Sequence, residues 1–146
     1  MIFFKDLSES EKELVLSAPA LVTVLIGAAD NEFTQSEKER GNKAVQFRST
    51  VGDPILKEYF QLANEIFIEN VEEIYRTYGN NTDNIAEKLA EINPILKKLD
   101  TRFAAALVEN LRSLAKAIAH ASGGVLGFLE ISKEEAHYIN LDMIEW

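Results

Sequence analysis

Residues 53–78, DPILKEYFQLANEIFIENVEEIYRTY, constrain the fold more than any other stretch. Leu56, Phe60, Ala63, Phe67, Val71, Ile74 and Tyr78 recur at steps of three and four, which aligns them on one face of an α-helix. Asp53 suits the N-cap and Pro54 the first helical position, where its missing N–H costs nothing. Gly79-Asn80-Asn81 supplies the stop. At about 1.5 Å per residue this predicts a helix of roughly 40 Å, long enough to cross a whole domain.

Helical punctuation recurs through the rest of the chain, and strand patterning does not. Ser8 or Ser10, with Glu11 or Glu13 three places on, has the capping-box spacing, and so does Thr34 with Glu37. Helices are therefore expected from the first pair and from Thr34 to about Ser49, with Gly41 a weak point in the second. Pro19 is expected to kink the first segment or to begin a new helix. A shorter helix is expected from Asp83, broken at Ile92-Asn93-Pro94. Another starts at Asp100 or Thr101, turning Phe103, Leu107, Leu111, Leu114 and Ile118 inward and stopping at Gly123-Gly124. A last helix is expected from Ser132 to near Trp146. The reading is all-α: one domain over residues 1–146, a compact bundle of six to seven helices.

Composition narrows the chemistry. The chain has no Cys, which excludes disulfides, thiolate metal sites and cysteine nucleophiles. Its net charge is −9, and its densest basic stretch, Leu96 to Arg102, is diluted by Asp100; neither nucleic acid nor an anionic membrane is an expected partner. The N-terminus turns charged too soon for a signal peptide, and the apolar run Ala18 to Ala29 is too short to span a bilayer. A cytoplasmic protein without membrane insertion is expected. No nucleophile elbow, P-loop or dinucleotide fingerprint is present, so no enzyme is expected.

Two places in the chain echo each other. Leu21 to Asn31, LVTVLIGAADN, and Leu114 to Gly124, LAKAIAHASGG, are small-residue-rich helix ends that lead into a break. EFTQSE (residues 32–37) follows the first and EISKEE (residues 130–135) the second, each a Glu, an apolar residue, a hydroxyl at the N-cap position and a Glu three places beyond. The second copy carries five extra residues, VLGFL (125–129). The repetition predicts two pseudo-symmetric helix-loop-helix units, each with an acidic loop.

The stretch AADNEFTQSE resembles the A-x-A-D-G-x-I-x-x-x-E signature of TerB-like tellurite-resistance domains, and AHASGGVLGFLEISKEE resembles the second-half turn of relatives of that family. The resemblance implies an all-helical, pseudo-symmetric bacterial stress-response protein whose acidic loops bind metal. Carried over by position, Asp30, Glu32 and Glu37 match the first loop, and Glu130 and Glu135 the second. Asn31 stands where the family has Gly, and Gly123 stands opposite Asp30, so the second loop has one acid fewer.

As a cation site, Asp30 and Glu32 with the hydroxyls of Thr34 and Ser36 offer hard oxygen donors, suited to Ca²⁺, Mg²⁺ or Mn²⁺ rather than zinc. An EF-hand is excluded: counted from Asp30, position six is Gln35 and position twelve Gly41. The same residues have a purely local explanation, with Asn31 ending one helix, Thr34 capping the next and Glu37 completing the box. Glu134-x-x-His137 has the spacing of a di-iron ligand pair but lacks the second pair such a site needs; His120 suits a helix C-terminus. Glu65, Glu69 and Glu73, with Glu72, read as a solvated helix face, an acidic docking surface or a weak divalent-ion patch. Leu126, Phe128 and Leu129 read as a loop folded over the core or as a partner site. Two functions follow as expectations: divalent-cation binding linked to stress response, or a metal-free interaction scaffold engaging a protein partner or a second copy.

Overall fold

The structure, a computed structural model, describes residues 1–29, 33–129 and 133–146, and side chains outside 121–135. All regular structure among the described residues is helical, as the periodicity predicts. The helices are α1 (Glu9–Ala29), α2 (Gln35–Thr50), α3 (Lys57–Tyr78), α4 (Thr82–Ala90), α5 (Asn93–Leu96), α6 (Thr101–Leu129) and α7 (Lys133–Ile139). Short 3-10 turns at Ile2–Phe4 and Pro54–Leu56 precede α1 and α3.

The starts follow the sequence closely. Ser8 and Glu11 form a capping box at α1, with Ser8 N donating to Glu11 Oε1 at 2.9 Å and Glu11 N to Ser8 Oγ at 3.2 Å. Asp53 accepts from Ile55 N, Asn81 from Asn84 N, and Asp100 from the N–H groups of Arg102 and Phe103. Gly79 stops α3 at φ 56°, a left-handed value at which a side chain would be strained.

Three points refine or correct the expectations. First, no new helix begins at Pro19, which lies inside one continuous α1. Without an N–H it leaves the Val15 carbonyl without its intrahelical donor, and the Tyr59 hydroxyl of α3 fills that place at 2.6 Å. Burial raises the pKa of Tyr59, which keeps the hydroxyl protonated as a donor. Secondly, Gly123-Gly124 does not stop α6, whose backbone continues through VLGFL to Leu129. Extending an existing helix costs far less than starting one, so two glycines at about 1 kcal/mol each are tolerated. Thirdly, α7 ends at Ile139 rather than near Trp146, because the chain turns left-handed at Leu141, φ 49°.

The core centres on α1, which is packed by α3, α4 and α6. Phe67, Val71 and Ile74 of α3 and Phe103, Leu107, Leu111, Leu114 and Ile118 of α6 are all buried. By length and composition α1 is apolar enough to cross a membrane; in the bundle 67% of its most apolar window is buried by neighbouring helices. The apolar run Ala18 to Ala29 is thus only part of a longer helix.

Helix α2 docks differently. Its buried residues, Glu37, Gly41, Val45 and Ser49, recur every four positions and are mostly small. Gly41 is therefore a contact point rather than a weak point: a β-carbon there would lie 2.6 Å from Thr23 Cγ2 and 3.0 Å from Phe67 Cζ.

Candidate functional sites: the α1–α2 junction and the α2–α6 face

The junction is built on a reciprocal cap. Thr34 takes an extended backbone, and its Oγ1 accepts from Glu37 N at 3.2 Å. Glu37 Oε1 accepts from Thr34 N at 2.8 Å and from Thr34 Oγ1 at 3.0 Å. Glu37 is only 4% exposed, so its carboxylate is a buried part of the helix start. Its other oxygen faces back to α1: a β-carbon on Gly27 would lie 3.3 Å from Oε2 and 2.4 Å from Phe33 Cδ1. Gly27 thus allows the chain to fold back tightly here.

Phe33 stacks edge-on against Tyr75 with centroids 5.4 Å apart. Together with Val71 the two rings floor a cleft of about 450 Å³, rimmed by Lys38, Glu72 and Arg76. Those cations are already paired, Lys38 with Glu72 at 2.9 Å and Arg76 with Glu73. Lys38 accordingly lowers the pKa of the exposed Glu72 carboxylate, chiefly through their hydrogen bond.

Of the acids carried over from the resemblance, Glu37 is the one whose side chain is described, and it is engaged as a cap. Asp30, Glu32 and Glu130 lie outside the described residues, as does the Glu135 side chain. No group of three Asp, Glu or His able to hold a metal ion occurs among the described residues. The Glu134 side chain and those of Leu126, Phe128 and Leu129 are likewise outside them. His137 Nδ1 lies 3.0 Å from Asp142 Oδ2, beside the turn that ends α7. Glu65, Glu69, Glu72 and Glu73 are exposed on α3.

A second surface went unrecognised in the sequence. The single aromatic residue of α2, Phe47, is 59% exposed, and Val51 just beyond the helix is 66% exposed. At about 100° per residue, Arg48, Val51 and Phe47 lie roughly 60°, 120° and 160° from Val45 round one side of α2. Arg48 shows which neighbour that side meets, because its Nη2 donates to Ser113 Oγ of α6 at 3.1 Å. Nη1 donates to Ala44 O, while Nε is buried without a hydrogen-bond partner. Burial depresses the guanidinium pKa from its ordinary value.

Ser113 also lines a cleft of about 570 Å³ with Glu109, Arg112, Lys116 and Trp146. Trp146 is held there by the tied-down C-terminal segment. Arg112 donates to Asn140 O and Ile144 O, and Asn93 bonds both Met143 O and Glu145 N. The available signal was Phe47 and Val51 at i, i+4, off the Gly41-Val45-Ser49 row. No protein-family model, curated protein or solved structure matches the chain.

Proposed function

We propose that this chain is a non-enzymatic helical interaction module that binds a protein partner through its α2–α6 face. One observation carries the reading: α2 buries small residues and leaves Phe47 and Val51 exposed on the side whose Arg48 bonds Ser113 of α6, and Ser113 lines a cleft with the exposed Trp146. Large exposed apolar side chains gathered on one face mark an interaction site more often than scattered ones do.

Trp146 is the sole tryptophan, so its fluorescence reports occupancy of the face. Titration with a panel of amphipathic helical peptides with neutral, acidic or basic polar faces is expected to give a saturable blue shift with at least one. No saturable shift across the panel would overturn the reading.

A second reading, a TerB-like cation site at the α1–α2 junction, is supported by Glu37 Oε2 facing the last turn of α1. Carbonyls at a helix end are oxygen donors too, and the resemblance puts Asp30 and Glu32 beside them in sequence. On this reading the protein binds a divalent cation as part of a bacterial stress response. Linkage then adds about 2.7 kcal/mol at an ion concentration of about 100 Kd, which raises Tm by roughly 8 °C. Ca²⁺, Mg²⁺ and Mn²⁺ are the ions to test, and Asp30→Asn with Glu32→Gln abolishes the rise. A melt indifferent to all three ions excludes the site.

A further inference from the structure

We infer that the α2–α6 face takes an acidic amphipathic helix from a partner protein, a refinement that rests on the interaction reading above. The distinguishing feature is how the cations of each cleft are used. In the clefts away from this face, Lys38, Arg76 and Lys88 are each ion-paired, with Glu72, Glu73 and Glu91. On the α2–α6 face, Arg48, Arg112 and Lys116 have no carboxylate within 4.0 Å among the described residues. Arg48 and Arg112 donate instead to neutral oxygens: Ser113 Oγ, Ala44 O, Asn140 O and Ile144 O. Glu109 is the one acidic side chain lining the cleft.

In a chain of net charge −9, Arg112 and Lys116 thus share a cleft with the exposed Trp146, and Arg48, fixed by a carbonyl and a hydroxyl, adjoins it at Ser113 on the side of α2 that exposes Phe47 and Val51. Charge complementarity selects a ligand with carboxylates spaced along an apolar stripe, and the i, i+4 spacing of Phe47 and Val51 matches the repeat of a helix laid against them. Fixed guanidinium groups favour carboxylates because little side-chain freedom is lost on pairing. A basic helix would be repelled here, although the protein as a whole would attract it.

The test uses the Trp146 titration on the full chain at about 50 mM salt, where screening is weak. The acidic-faced peptide is expected to bind at least tenfold more tightly than the basic-faced one, with the ratio shrinking as salt rises. Lys116→Glu, a change at an exposed position, is expected to reduce that preference at least tenfold while Tm stays put. Equal binding of acidic and basic peptides overturns the acidic ligand and leaves the interaction reading standing. No binding at all overturns both. Glu65, Glu69 and Glu73 make a second copy the competing occupant. Sedimentation showing a dimer that Lys116→Glu dissociates, with no peptide bound, would overturn the partner helix in favour of self-association.

Discussion

Gly41→Val is expected to destabilise the fold by about 3 kcal/mol, read as a fall in Tm of roughly 10 °C. The reason is the spacing between α2 and the helices beneath it. A β-carbon at 41 meets Thr23 Cγ2 at 2.6 Å, Thr23 Oγ1 at 2.9 Å and Phe67 Cζ at 3.0 Å. Neither neighbour has room to yield. Thr23 is 0% exposed with its hydroxyl bonded to Pro19 O at 2.8 Å, and Phe67 is 1% exposed.

Gly41→Ala sets two effects against each other. A helix-interior Ala gains about 1 kcal/mol over Gly, while overpacking a filled site costs about 1–3 kcal/mol. At 2.6 Å the overpacking wins, so the alanine variant is also expected to be less stable, by about 1 kcal/mol. Denaturant unfolding checks the sign. An alanine variant more stable than the parent would show that α2 shifts outward freely, and the close docking described above would be wrong.

Tyr59→Phe is expected to cost about 2 kcal/mol, the penalty for a buried carbonyl that loses the Tyr59 donor. Val15 O depends on Tyr59 because Pro19, four residues on, has no N–H to give. Ring packing against Phe4, Phe60 and Phe103 is kept in phenylalanine, so the loss isolates the hydroxyl. Pro19→Ala restores an intrahelical donor. In that background the cost of Tyr59→Phe should fall below about 0.5 kcal/mol, giving a coupling of about 1.5 kcal/mol in a double-mutant cycle. Equal costs in both backgrounds would mean that the hydroxyl is not the donor Val15 needs.

These cases also separate what was legible in the sequence from what was not. The helix starts were, because a cap is a local event: Ser8 with Glu11, Thr34 with Glu37 and Asp53 before Pro54 act within three residues. The buried face of α3 was legible because its period is that of the helix itself. That no helix begins at Pro19 was not legible, because the Tyr59 hydroxyl that stands in for its missing N–H is 40 positions away on another helix. Gly123-Gly124 misled because a glycine pair ends a helix only if the backbone turns left-handed there, and sequence does not fix that choice.

The two surfaces divide along the same line. Glu37 was read both as a ligand and as a cap, and the capping half of that reading appears directly in its bonds to Thr34. Arg48, Lys116 and Trp146 were not read as one site because they are scattered over 99 residues of sequence and are brought near one another only by α2 and the C-terminal segment both packing on α6. A salt bridge that fails to form leaves no trace in a sequence. The exposed Phe47 did leave one, since the small residues at 41, 45 and 49 already mark the docked side of α2.

The central claim is that Phe47 and Val51 form the apolar half of a binding face. Its most direct measurement is the Trp146 emission titration with the acidic amphipathic peptide, run on the parent and on a Phe47→Ser, Val51→Ser variant. Both side chains are exposed, so Tm should change by no more than about 2 °C. The account predicts a saturable blue shift in the parent and at least tenfold weaker binding in the variant. Equal affinity for the two proteins would contradict it.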